Sequence, residues 1–171
     1  EIEEDIQAVY AMASFEGDRF RGNFGLRYVE TDMTSSGWDI DNDRAISADS
    51  SYDNVLPSVN FVYDVTEDIL VRFAAGKSLS RPAPFALSYA VNLTPETSSG
   101  SAGNPDLAPE VAEQIEIGAE WYLSDASLVS ATLFQKDIKD YVYGVTKSGT
   151  INGVFINALS TFENGEEASL E

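Results

Sequence analysis

The chain has 171 residues with 29 acidic and 10 basic side chains, a formal net charge of −19, and neither cysteine nor histidine. Those counts exclude a Ser-His-Asp or Cys-His nucleophile, a Cys/His zinc cluster, a thiolate iron–sulfur site and a disulfide-stapled scaffold. They also exclude a nucleic-acid partner, because phosphate backbones are bound by clustered Lys and Arg. With 43% hydrophobic residues the chain has apolar material for a core or a membrane face. No apolar run approaches the roughly 18 residues of a spanning helix, and the opening Glu1-Ile2-Glu3-Glu4-Asp5 is unlike a secretory signal.

Period-two alternation predicts strands almost throughout. A weak first strand is expected over Ile6–Phe15. Then comes Arg21–Thr31, where Phe24, Leu26 and Tyr28 alternate with Asn23, Gly25 and Arg27. A third runs over Val55–Val65, with Val55, Val59, Phe61 and Tyr63 opposing Leu56, Ser58, Asn60 and Asp64. A fourth, Ile69–Ser78, sets Ile69, Val71 and Phe73 against Arg72, Ala74 and Gly76. The strongest is Val111–Leu123, in which Ile115, Ile117, Ala119 and Trp121 face away from Gln114, Glu116, Gly118 and Glu120. Leu128–Lys136, Tyr141–Thr146 and Ile151–Ala158 complete an all-β chain of about seven or eight antiparallel strands in up-and-down order.

The connections alternate in length. Glu16-Gly17-Asp18-Arg19, Thr66-Glu67-Asp68 and Ser124-Asp125-Ala126-Ser127 read as tight polar turns. Asp32–Asn54 and Leu79–Glu110 read as long loops, which in compact domains are usually functional. Strands of ~10 residues joined alternately by short turns and long loops fit a transmembrane β-barrel with periplasmic turns and extracellular loops. Tyr28, Tyr63, Trp121 and Tyr122 are then expected in interfacial aromatic girdles.

Four segments carry a family resemblance: RGNFGLRYVETD (21–32), LPSVNFVYDVTEDILVRFAAGKSLSRPAPFAL (56–87), GNPDLAPEVAEQIEIGAEWY (103–122) and VSATLFQKDIKDYV (129–142). In this order they resemble the barrel of TonB-dependent outer-membrane receptors. That resemblance implies a Gram-negative outer-membrane location and a plugged barrel of about 22 strands. It implies uptake of a siderophore, cobalamin or a carbohydrate, with a plug domain, TonB, lipid and an extracellular small molecule as partners. Neither plug nor TonB box nor aromatic-ended final strand is recognisable, so residues 1–171 are expected to be a middle-to-late piece of the barrel. Two other readings remain open: a complete small outer-membrane barrel or adhesin, and a soluble β-sandwich that binds carbohydrate.

Candidate sites follow from residue type and position. Trp38, Arg81, Phe85, Tyr89 and Asn92 place aromatic and polar groups in the long loops, where a barrel mouth would meet a ligand. Arg27, Asn60, Arg72, Lys77, Gln114, Glu116 and Glu120 are expected to line a polar lumen. Asp39, Asp41 and Asp43 alternate like calcium ligands, but Arg44 stands where an EF-hand loop needs glycine and Ser50 where it needs glutamate, so a solvated acidic loop is expected. Glu116 and Glu120 would lie roughly 13 Å apart along one strand, beyond the ~5 to 9.5 Å of glycosidase carboxylates. No enzyme activity and no cofactor are expected. Asn104-Pro105-Asp106-Leu107-Ala108-Pro109 is expected to be a turn that launches the strand beginning at Val111.

Overall fold

The computed structural model describes residues 1–39, 44–88, 91–124, 126–151 and 154–171, without the side chains of 38, 39, 95, 151 and 154. Its strands are β1 (Ile2–Glu16), β2 (Phe20–Asp39), β3 (Arg44–Asp64), β4 (Ile69–Ser80), β5 (Val91–Thr94), β6 (Ser99–Ala102), β7 (Glu110–Ser124), β8 (Ser127–Lys139), β9 (Val142–Ile151), β10 (Val154–Asn164) and β11 (Glu167–Leu170). Short 3-10 turns at Pro84–Leu87 and Pro95–Thr97 flank β5. Among the described residues no helix is long and apolar enough to cross a membrane, which says nothing of strands.

Seven strands form one antiparallel sheet in the order β1-β2-β3-β4-β7-β8-β11. Sequence neighbours pair across the tight turns because those turns carry their own hydrogen bonds. Gly17 N donates to Phe20 O at 2.8 Å, and Val65 N donates to Ile69 O at 2.8 Å. The Thr66 hydroxyl accepts from Asp68 N and Ile69 N, a side-chain mimic of a backbone turn. The second sheet, β5-β6-β10-β9, is built wholly from the two connections that interrupt the first.

Partners opposite each other in a ladder share a face, so the register divides the large sheet into two surfaces. One is apolar. Phe24 pairs with Val59, Tyr28 with Val55, Phe61 with Phe73, and Ile117 with both Phe73 and Leu133. These side chains are bare of protein: Phe24 is 58% exposed, Ile117 51% and Leu133 76%. From Phe20 to Tyr28 the apolar rows climb eight residues, or about 27 Å, against an outer band of roughly 25 Å on membrane barrels. A soluble sandwich would pack a second sheet on that face, and the four-stranded sheet does not cover it. No ladder among the described residues joins β1 to β11, so the sheet is open rather than a small closed barrel.

The buried core lies at one end of the sheet. Met33, Ala86, Leu87 and Leu107 form it, with Ile2, Val142 and Phe162 against them. This overturns the expected loop over Asp32–Asn54. β2 and β3 remain paired from Phe20↔Tyr63 to Asp39↔Arg44. The strand pattern continues there as Val29, Thr31, Met33 and Ser35, all buried, alternating with Glu30 and Asp32, both exposed. Hydroxyl side chains stand at the inward positions because the neighbouring connection offers them polar partners as well as apolar cover.

The region beyond β8 also differs from expectation. The strands foreseen at Tyr141–Thr146 and Ile151–Ala158 exist as β9 and β10, but they leave the large sheet, and β11 takes the place beside β8.

Candidate functional site

The site is assembled where the two long connections meet. After β4 the chain turns inward at Arg81, whose Nη2 donates to Thr31 Oγ1 at 3.2 Å while Nε lies 3.2 Å from Glu4 Oε1. The Nε contact is ionic, since that buried nitrogen donates no hydrogen bond among the described residues. Tyr52 stands opposite Thr31 in the ladder, and burial raises its hydroxyl above the usual phenol value against the lowering influence of Thr31 and Arg81. Four residues on, Ser35 Oγ donates to Leu87 O at 3.0 Å. The first connection is thereby fastened to the upper, polar face of the β2–β3 hairpin.

The second connection is fastened to the first. β10 runs parallel to β6, with Ala158↔Ser99, Leu159↔Gly100 and Ser160↔Ser101 in register. Asn104 Nδ2 donates to Phe162 O at 3.0 Å, and its Oδ1 accepts from Asp106 N at 3.1 Å. Asn164 answers both backbone groups of Ala108, accepting from its N at 2.9 Å and donating to its O at 3.0 Å. Glu110 Oε1 accepts from Val142 N at 2.8 Å. The turn expected at Asn104–Pro109 is therefore also a seam between the two connections.

Between them lies a cavity of about 550 Å³. Phe85 and Phe162 stand at one side, their rings edge to face at 5.5 Å. Asn92, Ser101, Thr146 and Ser160 contribute polar groups. Of the five loop residues singled out by sequence, Phe85 and Asn92 come together here, whereas Arg81 is the anchor below and is not among the lining residues. Trp38 sits on β2 opposite Ala45 with its side chain outside the described residues, and Tyr89 lies outside them altogether. Asp41, Asp43 and the Asp39 side chain also fall outside them. Among the described residues no group of three or more carboxylates is placed to hold a metal ion.

The residues expected along a lumen can now be assigned to faces. Arg27, Asn60, Arg72, Gln114, Glu116 and Glu120 share the face opposite the apolar one. Arg27 lies in a row with Tyr10 and Leu56. Asn60 Nδ2 donates to Asn23 Oδ1 at 3.0 Å, and Gln114 Nε2 to Glu116 Oε2 at 3.2 Å. Arg72 grips Glu120 with Nε at 2.5 Å and Nη2 at 3.3 Å, while Tyr122 OH donates to Glu120 Oε2 at 2.8 Å. Two expectations are corrected. Lys77 pairs with Glu113 on the apolar side, 3.8 Å apart, because its odd number puts it in phase with Phe73 rather than Arg72. Tyr122 belongs to the polar face, in phase with Glu120, and not to an outer girdle; Tyr28, Tyr63 and Trp121 do lie on the apolar face.

Ser101, Thr146, Ser160, Phe162 and Asn164 were not foreseen. Small hydroxyls have no periodic signature, and only the pairing of β6 with β10 brings these residues together.

The sequence model of the TonB dependent receptor-like β-barrel matches residues 1–169. No curated protein matches the chain by sequence. Among solved structures the chain is similar to the hemophore receptor of Serratia marcescens in complex with its hemophore and heme (TM-score 0.72, 13% identity, 97% of this chain and 30% of that one). It is similar too to the ferric enterobactin receptor of Pseudomonas aeruginosa (0.60, 15%, 98% and 32%) and to a siderophore receptor of the same organism (0.60, 13%, 98% and 38%). The chain thus spans about a third of each of these proteins. With its bare apolar band, its open antiparallel sheet and a match over nearly its whole length, the chain belongs to the TonB-dependent receptor β-barrel family of the Gram-negative outer membrane.

Proposed function

We propose that this chain is part of the barrel wall of an active-transport receptor, and that its loop lobe takes part in capturing an extracellular ligand for TonB-driven uptake. The observation that carries the reading is the lobe itself: two connections hydrogen-bonded to each other and to the polar face, with a cavity between them. A cavity held by backbone ladders is ready before the ligand arrives, which limits the ordering cost of binding. The similar solved proteins are receptors for ferric enterobactin, for siderophore and for a hemophore in complex with heme, and the resemblance of the sequence to the family adds cobalamin and carbohydrate to the ligand range proposed for this chain.

In this reading the polar face lines the lumen and the apolar face meets lipid. Arg27, Asn60, Arg72, Gln114, Glu116 and Glu120 then face water, the solute or the plug, which lies in another part of the parent polypeptide together with the remaining strands. Arg72, Glu120 and Tyr122 satisfy one another, so they form a fixed polar surface rather than a reactive centre. The chemistry is passage, not catalysis.

The test is made in the parent receptor. Replacing residues 84–107 by a short Gly-Ser link is expected to leave the barrel in the outer membrane and abolish growth on the nutrient that requires it; loss of TonB is expected to abolish the same growth. Growth unchanged in both strains would contradict the reading.

A further inference from the structure

We infer that the cavity of the loop lobe takes an uncharged, polyhydroxylated ligand, that is, a saccharide. The inference rests on the receptor reading and adds the chemical class of its ligand. Its basis is a row of side chains that crosses all four strands of the small sheet. Asn92 on β5 is opposite Ser101 on β6, Ser101 is opposite Ser160 on β10, and Ser160 is opposite Thr146 on β9. Registered neighbours project to one face at steps of about 4.8 Å, and all four residues line the cavity.

Each member of the row both donates and accepts hydrogen bonds. A sugar hydroxyl does the same, so successive hydroxyls of a saccharide match a row of this kind without leaving a donor facing a donor. The described lining residues carry no charge. Lys147, next to Thr146, is neutralised by Glu163 at 2.7 Å. An anionic chelate or a haem carboxylate is held by Arg or Lys through charge-assisted bonds, and the described lining supplies neither. Phe85 and Phe162 provide the apolar complement, against which the C–H face of a pyranose packs while its hydroxyl edge meets the row. The volume of about 550 Å³ falls within the roughly 300 to 1,000 Å³ of small-molecule sites.

The experiment uses the intact parent receptor in detergent, probed with an array of neutral and acidic glycans and, separately, with ferric enterobactin and haem. Neutral glycans are expected to bind and acidic ones to be rejected. Ser160→Ala and Asn92→Ala are each expected to weaken binding of the retained glycan about tenfold without altering the circular dichroism of the barrel. Retention of no glycan, or of acidic glycans alone, overturns the inference, as does unchanged affinity in both variants. If ferric enterobactin or haem binds instead and its uptake needs TonB, the saccharide assignment falls while the receptor reading stands. If no uptake needs TonB, the receptor reading falls as well.

Discussion

Gly103 leaves no room for a side chain: a Cβ there would lie 2.4 Å from the carbonyl oxygen of Ser88 and 2.8 Å from that of Ala86. Backbone atoms cannot swing aside as a side-chain tip can, so the 86–88 segment would have to move. Gly103→Ala is therefore expected to loosen the lobe and make the 81–107 connection more sensitive to protease, while the heat-unfolding transition of the barrel is kept. Equal protease resistance would show that the close approach is unimportant. Arg72 and Glu120 behave differently. The Arg72 side chain is 49% exposed and Glu120 19%, so solvent screens the pair, and Arg72→Ala is expected to cost about 1 kcal/mol or less by detergent-based thermal unfolding. A loss of several kcal/mol would mean that the pair is buried in the assembled receptor. At this scale the sequence was legible wherever alternation is strict, as at Arg72, Gln114, Glu116 and Glu120. Lys77 departs from what its charge suggests because it stands in phase with Phe73 and opposite Glu113.

Among elements, the tight turns and the membrane-facing strands follow from local signals, because each needs only its own residues and its ladder neighbour. The extension of β2 and β3 through Thr31, Met33 and Ser35 was hidden by composition. Asp, Asn and Gly, which recur between Asp32 and Asn54, are depleted in strands, and the inward hydroxyls here are held by partners that lie about fifty residues away, Leu87 for Ser35 and Arg81 for Thr31. Asn164 is the sharpest case. Its amide also donates to Asp140 O at 2.6 Å, so one side chain satisfies three backbone groups from two segments. Asn164→Ala leaves those groups without their protein partner, at a cost of roughly 1 to 3 kcal/mol each where water cannot replace it. The expected result is faster hydrogen exchange at Ala108 and along β9 and β10, with β2, β3 and β7 unchanged. Uniform protection in the variant would contradict the role of this seam.

At the level of the whole molecule, two surfaces of one sheet account for the composition. The apolar rows need lipid, the polar rows need water or a plug, and acidic residues such as Glu30, Asp32 and Asp53 stand on the outer face above the band, beyond Tyr28 and Val55. The family could be read from ordered segments and loop alternation, since a barrel wall repeats the same two-residue logic in every strand. The cavity could not, because its floor is made by β6 pairing in parallel with β10, a contact between residues about sixty positions apart that no local pattern announces. The measurement that tests the two-faced wall most directly is cysteine labelling along β7 of the parent receptor in outer-membrane vesicles, with each variant made in a background otherwise free of accessible thiols. Gln114, Glu116 and Gly118 are expected to react as cysteines with a membrane-impermeant maleimide, and Ile115, Ile117 and Ala119 only with a lipid-partitioning one. Equal reaction of both sets with the impermeant reagent would contradict a membrane wall.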